Sequence, residues 1–189
     1  MVSPLYKYNH QELGALLKSL TIIVDTREQK NDNILDFFKK HNINFITKKL
    51  DSGDYSCYIP KNEIMGVYRD LYIPMCIERK NSVDELALSL VNRTRFENEF
   101  MRAGKSGYRI KLLIEDEAGY ENILKGNYRS RYNAKAFLGS LKAFEARYEF
   151  STIFINKQLS GHYMYHTLFY ASREVLINSN QLYQLSIEE

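Results

Sequence analysis

The chain has 189 residues, of which 44% are hydrophobic, 26% are charged and only 3 are proline, and its formal net charge is +3. This composition excludes extended disorder and collagen-like or proline-rich fibres, and a chain of this length can bury about 70% of its unfolded surface. The weak positive charge permits a polyanionic partner without requiring one. We therefore expect one domain over residues 1–189, with a helical extension at 1–20, a core at 21–178 and a tail at 179–189.

The cysteines and the N-terminus bear on the cellular compartment. Cys57 and Cys76 are too few for a disulfide framework and lack metal-ligand spacing, so we interpret both as buried small hydrophobic residues of a reducing compartment. No run approaches the roughly 20 apolar residues of a membrane span, and Met1–Tyr8 lacks the order of a signal peptide. The expected protein is cytosolic and has no membrane partner.

The first half of the chain alternates between helical and strand patterns. Asn9 and Glu12 have the spacing of a capping box, which predicts an N-terminal amphipathic helix. In chain order the pattern then predicts a strand at Thr21–Asp25, a helix at Asn33–His41, strands at Asn44–Leu50 and Tyr55–Ile59, a hairpin loop at Pro60–Asp70 and a strand at Leu71–Arg79.

The second half continues the alternation. Ser82 and Glu85 form a second capping-box pattern, which predicts a helix reaching about Leu90. The following elements are helices at about Arg95–Ala103, Ala134–Tyr148 and Tyr163–Asn178, and strands at Tyr108–Glu115 and Thr152–Asn156. Together these elements predict an α/β fold with a central mixed β-sheet flanked by helices. The closing helix is apolar on more than one face, which is consistent with a thick core or with a second subunit.

Three short stretches place ionisable groups at the ends of predicted core strands. They are Asp25–Glu28, Gly53–Tyr55 and Glu78–Lys80. Open α/β sheets assemble sites at strand ends, and burying carboxylates there is costly unless a cation compensates. Each stretch alone is commonly structural, as a local ion pair, a turn or a solvated charge run. Their shared placement predicts one acidic pocket.

Strand geometry indicates what such a pocket could do. Glu78 and Lys80 lie two residues apart on a strand, so their side chains share one face while Arg79 points to the other. Asp54 is the candidate second carboxylate, because a glycine before it permits a tight turn. Mg²⁺ prefers carboxylate, water and phosphate oxygens, which makes phosphodiester hydrolysis the chemistry that needs this combination.

The residues around these stretches resemble the nuclease domain of the XPF/Hef family of structure-specific endonucleases, which has a restriction-endonuclease-like fold. The matching segments are Val24–Glu28, Leu50–Tyr55, Cys76–Leu86, Ser89–Leu90, Arg95–Phe96 and Leu112–Glu115, and the likeness spans about residues 21–178. Two features depart from the family. No glycine precedes Arg95 within Val91–Phe96, and only Ser179–Glu189 follow the core, where cellular members carry helix-hairpin-helix modules.

The resemblance implies a site and its cofactor. It assigns Asp25, Arg27, Glu28, Asp54, Glu78, Arg79 and Lys80 to the catalytic set. Asp54 and Glu78 would be the principal ligands of Mg²⁺ or Mn²⁺, with Arg79 adding its backbone carbonyl, Asp25 counted with the metal residues, and Asp84 in an outer layer. The family cuts DNA near branches, flaps or forks and commonly forms dimers through its last helices, which implies a homodimer through Tyr163–Asn178.

Two basic clusters are candidates for DNA contact. The favoured one, close in sequence to the chemistry, comprises Arg93, Arg95, Arg102 and Lys105. A second cluster comprises Lys125, Arg129, Arg131 and Lys135. It is interleaved with Tyr128 and Tyr132, and these tyrosines could either stack on bases or pack into the core.

The expected function is therefore metal-dependent DNA endonuclease activity, in DNA repair or recombination. The alternatives are a non-catalytic DNA-binding or dimerisation partner of a nuclease and a protein-interaction module whose pocket is an ion-pair network. A stand-alone nuclease would fit a phage or mobile element, so the expected location is the cytoplasm of a prokaryotic or phage-infected cell, or the nucleus if the source is eukaryotic.

Overall fold

A computed structural model describes residues 8–178. The strands are β1 (Thr21–Val24), β2 (Asn44–Thr47), β3 (Tyr55–Ile59), β4 (Leu71–Tyr72), β5 (Met75–Lys80), β6 (Arg109–Ile114) and β7 (Ser151–Phe154). The helices are α1 (His10–Lys18), α2 (Asp32–Lys40), α3 (Val83–Val91), α4 (Arg93–Lys105), α5 (Gly119–Lys125), α6 (Ala134–Tyr148) and α7 (Ser160–Ile177). The expected tail at 179–189 lies outside the described residues.

The strands form one mixed sheet of seven strands, in the order β2-β1-β3-β5-β6-β7 with β4 beside β3. Strand β3 runs antiparallel to β1, β4 and β5, whereas β1–β2, β5–β6 and β6–β7 are parallel pairs. The prediction of an α/β fold with a central mixed sheet is confirmed. Because β3 and β5 are antiparallel, the beginning of β3 meets the end of β5.

Helices cover both faces of the sheet. Helices α1, α2 and α7 pack on one face, around residues such as Ile77 and Leu113. Helices α3 to α6 pack on the other, around Cys76 and Leu112. Neighbouring residues of β5 and β6 therefore belong to different cores, as the period of two in a strand requires. Strand β5 is thus buried on both sides, and any charge on it must be compensated locally.

Helix starts were well predicted from capping residues. The Asn9–Glu12 capping box is present, with the Asn9 side chain accepting from the Glu12 N–H and the Glu12 carboxylate accepting from the Asn9 N–H. At the second predicted box only half forms. The Ser82 hydroxyl caps the Glu85 N–H, but the Glu85 carboxylate accepts from the Asn81 N–H instead.

Several predicted ends move by one to three residues, as in β2, which ends at Thr47 rather than Leu50, and two elements differ in kind from the sequence predictions. The predicted strand Leu71–Arg79 is interrupted, because Pro74 has no N–H to donate to a neighbouring strand, and the chain divides into β4 and β5. Helix α5 was not predicted, since its seven residues are too few to establish a clear period. Both differences leave the charged end of β5 in place.

Helix α7 buries Met164, Leu168, Ala171 and Val175 along one stripe. Leu176 is buried in the same core, while Tyr170 on the outer face is 57% exposed. The thick-core interpretation thus accounts for most of its apolar residues, and Tyr170 remains available to a partner. Within residues 8–178, no helix has the length and hydropathy needed to cross a membrane.

Candidate active site

The turn before β3 delivers Asp54 to the end of β5. Tyr55 lies opposite Ile77, the Asp54 N–H donates to the Ile77 carbonyl at 2.9 Å, and the Asp54 Oδ2 accepts from the Arg79 N–H at 2.8 Å. Gly53 makes the turn possible, because its φ is +72° and a Cβ there would lie 2.9 Å from the Cβ of Cys76. This backbone anchoring places the Asp54 carboxylate beside Glu78.

Glu78 and Lys80 share one face of β5, as predicted from strand alternation. The Lys80 ammonium donates to Glu78 Oε1. The other oxygen, Oε2, is buried and has no hydrogen-bond partner among the described residues, although only 3% of Glu78 is exposed. A buried carboxylate oxygen without a donor is costly and points to a missing proton or cation.

The pKa values of Asp54 and Glu78 reflect the shortage of positive charge around them. Burial raises the pKa of Asp54 to about 6, an effect that Glu28 and Glu99 reinforce and that the Arg79 N–H and Lys80 oppose. Burial and the negative charge of Asp54 also raise the pKa of Glu78 well above its usual range. For Lys80, burial alone would lower the pKa, but Glu78 and Asp54 outweigh it and raise the pKa. The site therefore carries more negative charge than Lys80 can balance.

These groups line an open cleft of about 920 Å³ between the sheet and helices α3 and α4. The predicted site residues that line it are Arg27, Glu28, Asp54, Glu78, Arg79, Lys80, Asp84, Arg95 and Arg129. The structure thus brings together most of the predicted catalytic set, drawn from three segments that are distant along the chain.

Asp25 is close by but is already fully engaged. Its Oδ1 accepts from the backbone N–H and the Nε of Arg27, and its Oδ2 accepts from Arg27 Nη2 and from the Leu50 N–H. Burial alone would raise the pKa of Asp25, but these hydrogen bonds outweigh it and the pKa is lowered. Asp25 is not among the residues lining the cleft, and its geometry supports a structural tie between β1 and Leu50 rather than metal ligation.

The Arg79 side chain serves the opposite face of β5. Its guanidinium donates to Glu28 at 3.1 Å, to Glu115 at 2.6 Å and to the Lys30 carbonyl at 2.7 Å. The contribution of Arg79 to the acidic pair is its backbone N–H, which holds Asp54. The predicted part of Arg79 in metal binding therefore rests on its backbone, because its side chain points to the other face of β5.

Asp84 and Arg129 join helix α3 to the loop before α6. The Asp84 carboxylate accepts from the Arg129 N–H at 2.6 Å and lies 3.5 Å from the Arg129 Nε. This contact holds Asp84 at the rim of the cleft rather than against Glu78. It also places Arg129, which is largely exposed, at the cleft entrance.

The basic candidates occupy different surroundings. Arg95 lines the cleft, whereas Arg93 and Arg102 line an adjacent groove of about 500 Å³, to which Arg95 also contributes. Arg93 is partly occupied, since it pairs with Glu97 at 3.3 Å and lies over the Phe144 ring. Lys105 and Arg131 line neither cavity.

The tyrosines of the second basic cluster pack into the protein. Tyr128 and Tyr132 both contact the Phe137 ring, at centroid distances of 5.2 and 5.5 Å. The Tyr128 hydroxyl donates to the Tyr132 carbonyl, and the Tyr132 hydroxyl hydrogen-bonds Ser140. Of the alternatives that the sequence left open, packing into the core is the one adopted.

One carboxylate at the site was missed by sequence reasoning. Glu99 of α4 lines the cleft and interacts with Asp54 and Glu78. The available signal was its position one helical turn after Arg95, between Phe96 and Phe100, which are both buried. That spacing could have predicted that Glu99 lies on the inner half of α4. It could not have predicted that this half of α4 lies near β5.

The donor set fits a hard divalent cation. No three Asp, Glu, His or Cys side chains among residues 8–178 surround one point as a complete metal cluster. Two carboxylates with one orphaned oxygen are nevertheless the kind of partial site that Mg²⁺ uses, because it retains waters and takes up substrate oxygens. The residues present therefore fit such a cation.

Comparisons with known proteins define the class. The solved structure of XPF from Aeropyrum pernix superposes with a TM-score of 0.58 at 19% identity, covering 88% of this chain and 72% of that one. The structure of the same protein in complex with DNA gives a TM-score of 0.57 at 19% identity, covering 88% and 73%. The fold is thus that of the XPF nuclease domain.

The family follows from the sequence itself. The profile of the ERCC4 domain matches residues 24–167, and the chain belongs to this family of nuclease domains, which are generally metal-dependent endonucleases. The family typically uses a divalent metal. No curated protein matches the chain. The resemblance identified from the motifs is confirmed.

Proposed function

We propose that this chain is a Mg²⁺- or Mn²⁺-dependent endonuclease that hydrolyses phosphodiester bonds in DNA. The observation that carries the proposal is the buried Glu78 Oε2, which receives no hydrogen bond from the described part of the chain and lies in the cleft with Asp54 and Lys80. An ion-pair network built for stability would balance its buried carboxylates with cations, whereas Asp54 and Glu78 share the ammonium of Lys80, so the protein-interaction alternative is disfavoured.

Asp54, Glu78 and the backbone carbonyl of Arg79 would hold the cation. When bound, it would polarise the phosphate, lower the pKa of a water molecule and neutralise developing charge. The Arg79 N–H fixes the Asp54 carboxylate, so that side chain is ready to bind without rearrangement. Lys80 holds its ammonium beside Glu78 and would supply positive charge toward the scissile phosphate. Glu28 is kept at the cleft by Arg79.

DNA is the proposed substrate. The solved structure of the Aeropyrum pernix XPF with DNA supports this class of ligand, and the Arg residues at the cleft suit phosphate contacts. Arg95 and Arg129 would contact the backbone next to the scissile bond, and Arg93, Arg102, Lys105 and Arg131 would extend that contact. Branched, flap or fork DNA is the expected preference within this class.

A homodimer through α7 completes the proposal. The exposed Tyr170 on the outer face of that helix supports it. Sedimentation velocity tests it directly: wild type should sediment as a dimer and Tyr170→Glu as a monomer. A wild-type monomer at all concentrations would contradict the dimer without touching the chemistry.

Cleavage assays test the activity. Purified wild type is incubated with duplex, flap, fork and four-way-junction DNA in Mg²⁺, Mn²⁺ or EDTA, together with Asp54→Asn and Lys80→Met. Each substitution should slow metal-dependent cleavage by about 10² to 10³-fold or more, because each removes a charge that acts on the reacting phosphate. The matched control is Asp116→Asn, which changes a carboxylate beyond the end of β6 that does not line the cleft.

The outcomes separate the alternatives. Loss of cleavage in both site variants but not in the control supports the endonuclease. Tight DNA binding without cleavage in either metal would favour a non-catalytic partner. If the protein neither binds nor cleaves DNA, only the protein-interaction alternative remains.

A further inference from the structure

Helix α4 presents a third carboxylate to the proposed cation site. Glu99 lines the same cleft as Asp54 and Glu78, and in addition to burial its negative charge raises the pKa of both carboxylates. Ionised carboxylates only accept hydrogen bonds. The Glu78 Oε2, for which residues 8–178 supply no hydrogen-bond partner, is thus buried in a cleft to which Glu99 adds another acceptor rather than a donor.

The charges around this contact do not balance. Asp54, Glu78 and Glu99 face the ammonium of Lys80, whereas the Arg27 guanidinium near Asp54 and Glu99 is already paired with Asp25 at 2.7 Å. No salt bridge within the described range involves Glu99. Glu97, two residues earlier on the same helix, behaves differently. It pairs with Arg147 at 2.7 Å and with Arg93 at 3.3 Å, on the side of α4 that faces α6. Only one of the two glutamates is therefore left facing other carboxylates.

Helix packing makes the position of Glu99 rigid. Phe96 and Phe100 flank it and are both buried, in contact with each other at a centroid distance of 4.7 Å. Glu99 is held on the inner half of α4 by these anchors and does not depend on a flexible loop. A carboxylate anchored in this way has a defined position in the cleft, as the supporting residues of a binding site require.

We propose that Glu99 is a positioning residue of the cation site, which holds a water molecule of the bound metal and strengthens metal binding. This inference rests on the proposed function. A role through water rather than direct ligation follows because the described side chains do not gather three ligands around one point. Outer partners of this kind orient the ligands and raise the affinity of the site.

Calorimetric titration with Mn²⁺ in the absence of DNA tests the inference. Glu99→Gln keeps the shape of the side chain and removes its charge, and it should weaken Mn²⁺ binding by about tenfold or more. Glu97→Gln is the matched control, since it makes the same change on the same helix, and its affinity should equal that of wild type. Thermal unfolding in EDTA checks that both variants fold.

Each outcome is decisive. Weaker binding in Glu99→Gln alone supports the inference, and equal affinities in the two variants overturn it. Should Glu99→Gln fail to fold, Glu99→Asp keeps the charge but withdraws the carboxylate by one methylene, and wild-type affinity in that variant would overturn the inference. A wild type that binds no Mn²⁺ would instead refute the proposed function on which the inference rests.

Discussion

Strand β5 carries one charged cluster on each of its faces, and the two clusters differ in how they are compensated. On the face covered by α1, α2 and α7, Arg79 donates to Glu28 and Glu115, and Glu115 also accepts from Asn33 at 3.1 Å. On the face covered by α3 to α6, Glu78 has Lys80 as its donor and keeps one oxygen without any partner found among residues 8–178.

The difference shows that three consecutive residues have separate roles: Arg79 stabilises the fold, whereas Glu78 and Lys80 belong to the candidate active site. Alternation along the strand sends the Arg79 side chain to a buried ion-pair network and the Glu78 and Lys80 side chains to the open cleft. Buried charge is tolerable in the first cluster because the guanidinium pairs with two carboxylates, although the Arg79 Nε has no hydrogen-bond partner among residues 8–178. In the second cluster, the buried negative charge is tolerable only if a bound ligand such as a cation neutralises it. A need of this kind is the expected property of a binding site.

The largest expected effect comes from breaking the ion-pair cluster around Arg79. Arg79→Met would leave the carboxylates of Glu115 and Glu28 without their main donor, at a cost of about 3–5 kcal/mol in the free energy of unfolding. Urea denaturation in EDTA measures it. The control is Arg147→Met, which removes a surface partner of Glu97 and should cost about 0–1 kcal/mol. Equal costs in the two variants would show that the Arg79 cluster has no special structural role.

A second prediction disturbs the open cluster through its backbone. Gly53→Ala and Gly107→Ala both force alanine into a left-handed conformation, with φ of +72° and +70°, at about 1–2 kcal/mol each. Only at Gly53 would the new Cβ clash, against Cys76, adding about 1–3 kcal/mol.

The same pair of variants separates stability from site geometry. Because Gly53 positions Asp54, Mn²⁺ affinity should fall in Gly53→Ala and stay unchanged in Gly107→Ala. Calorimetric titration measures it, with urea denaturation giving the stability of each variant. Equal losses of affinity would mean that the turn does not position the carboxylate.

The sequence was sufficient for features that depend on local periodicity. Alternation in β5 correctly separated Glu78 and Lys80 from Arg79, and the Asn9 cap correctly started α1. Pro74 could have been used to divide the predicted strand Leu71–Arg79, since proline cannot donate within a sheet.

Features that depend on contacts between distant segments were not accessible in this way. Asp25 had the composition of a ligand, but its engagement by Arg27 and Leu50 is visible only in three dimensions. Glu99 lies on a helix whose own period says nothing about β5, and its proximity to Glu78 follows from how α4 packs. Local patterns therefore predicted the elements of the site, whereas packing decided which carboxylates face the cleft.

A third prediction uses pH to compare the two clusters in metal-free protein. Burial raises the pKa of Asp54 from 3.8 to about 6, so the folded state binds a proton more tightly than the unfolded state. The stability of the folded state should rise as pH falls through about 6, on the order of 1 kcal/mol per pH unit, and the raised pKa of Glu78 adds to this rise. For Glu115, burial is outweighed by the hydrogen bond from Arg79 and the pKa lies below its usual 4.5, so stability is lost as pH falls below that value.

The expected profile of unfolding temperature in EDTA therefore rises from neutral pH and declines again in stronger acid. Asp54→Asn should remove much of the rise. His166, whose pKa burial lowers, acts in the opposite direction, but it is common to both proteins and cancels in the difference between their profiles. Saturating Mg²⁺ should flatten the rise in wild type, because cation binding competes with protonation. Identical profiles for wild type and Asp54→Asn would contradict the raised pKa.

The smallest effect concerns the rim of the open cluster and its DNA contacts. Arg95 is exposed and lines the cleft, whereas Lys40 is exposed on α2, the helix that covers the opposite face. Each phosphate contact contributes about 0.9 to the slope of log affinity against log salt concentration. Arg95→Ala should reduce the slope by about that amount, and Lys40→Ala should leave it unchanged. Fluorescence anisotropy with a flap substrate in Ca²⁺ measures both slopes. If the slope falls equally in Lys40→Ala and in Arg95→Ala, DNA does not prefer the cleft face.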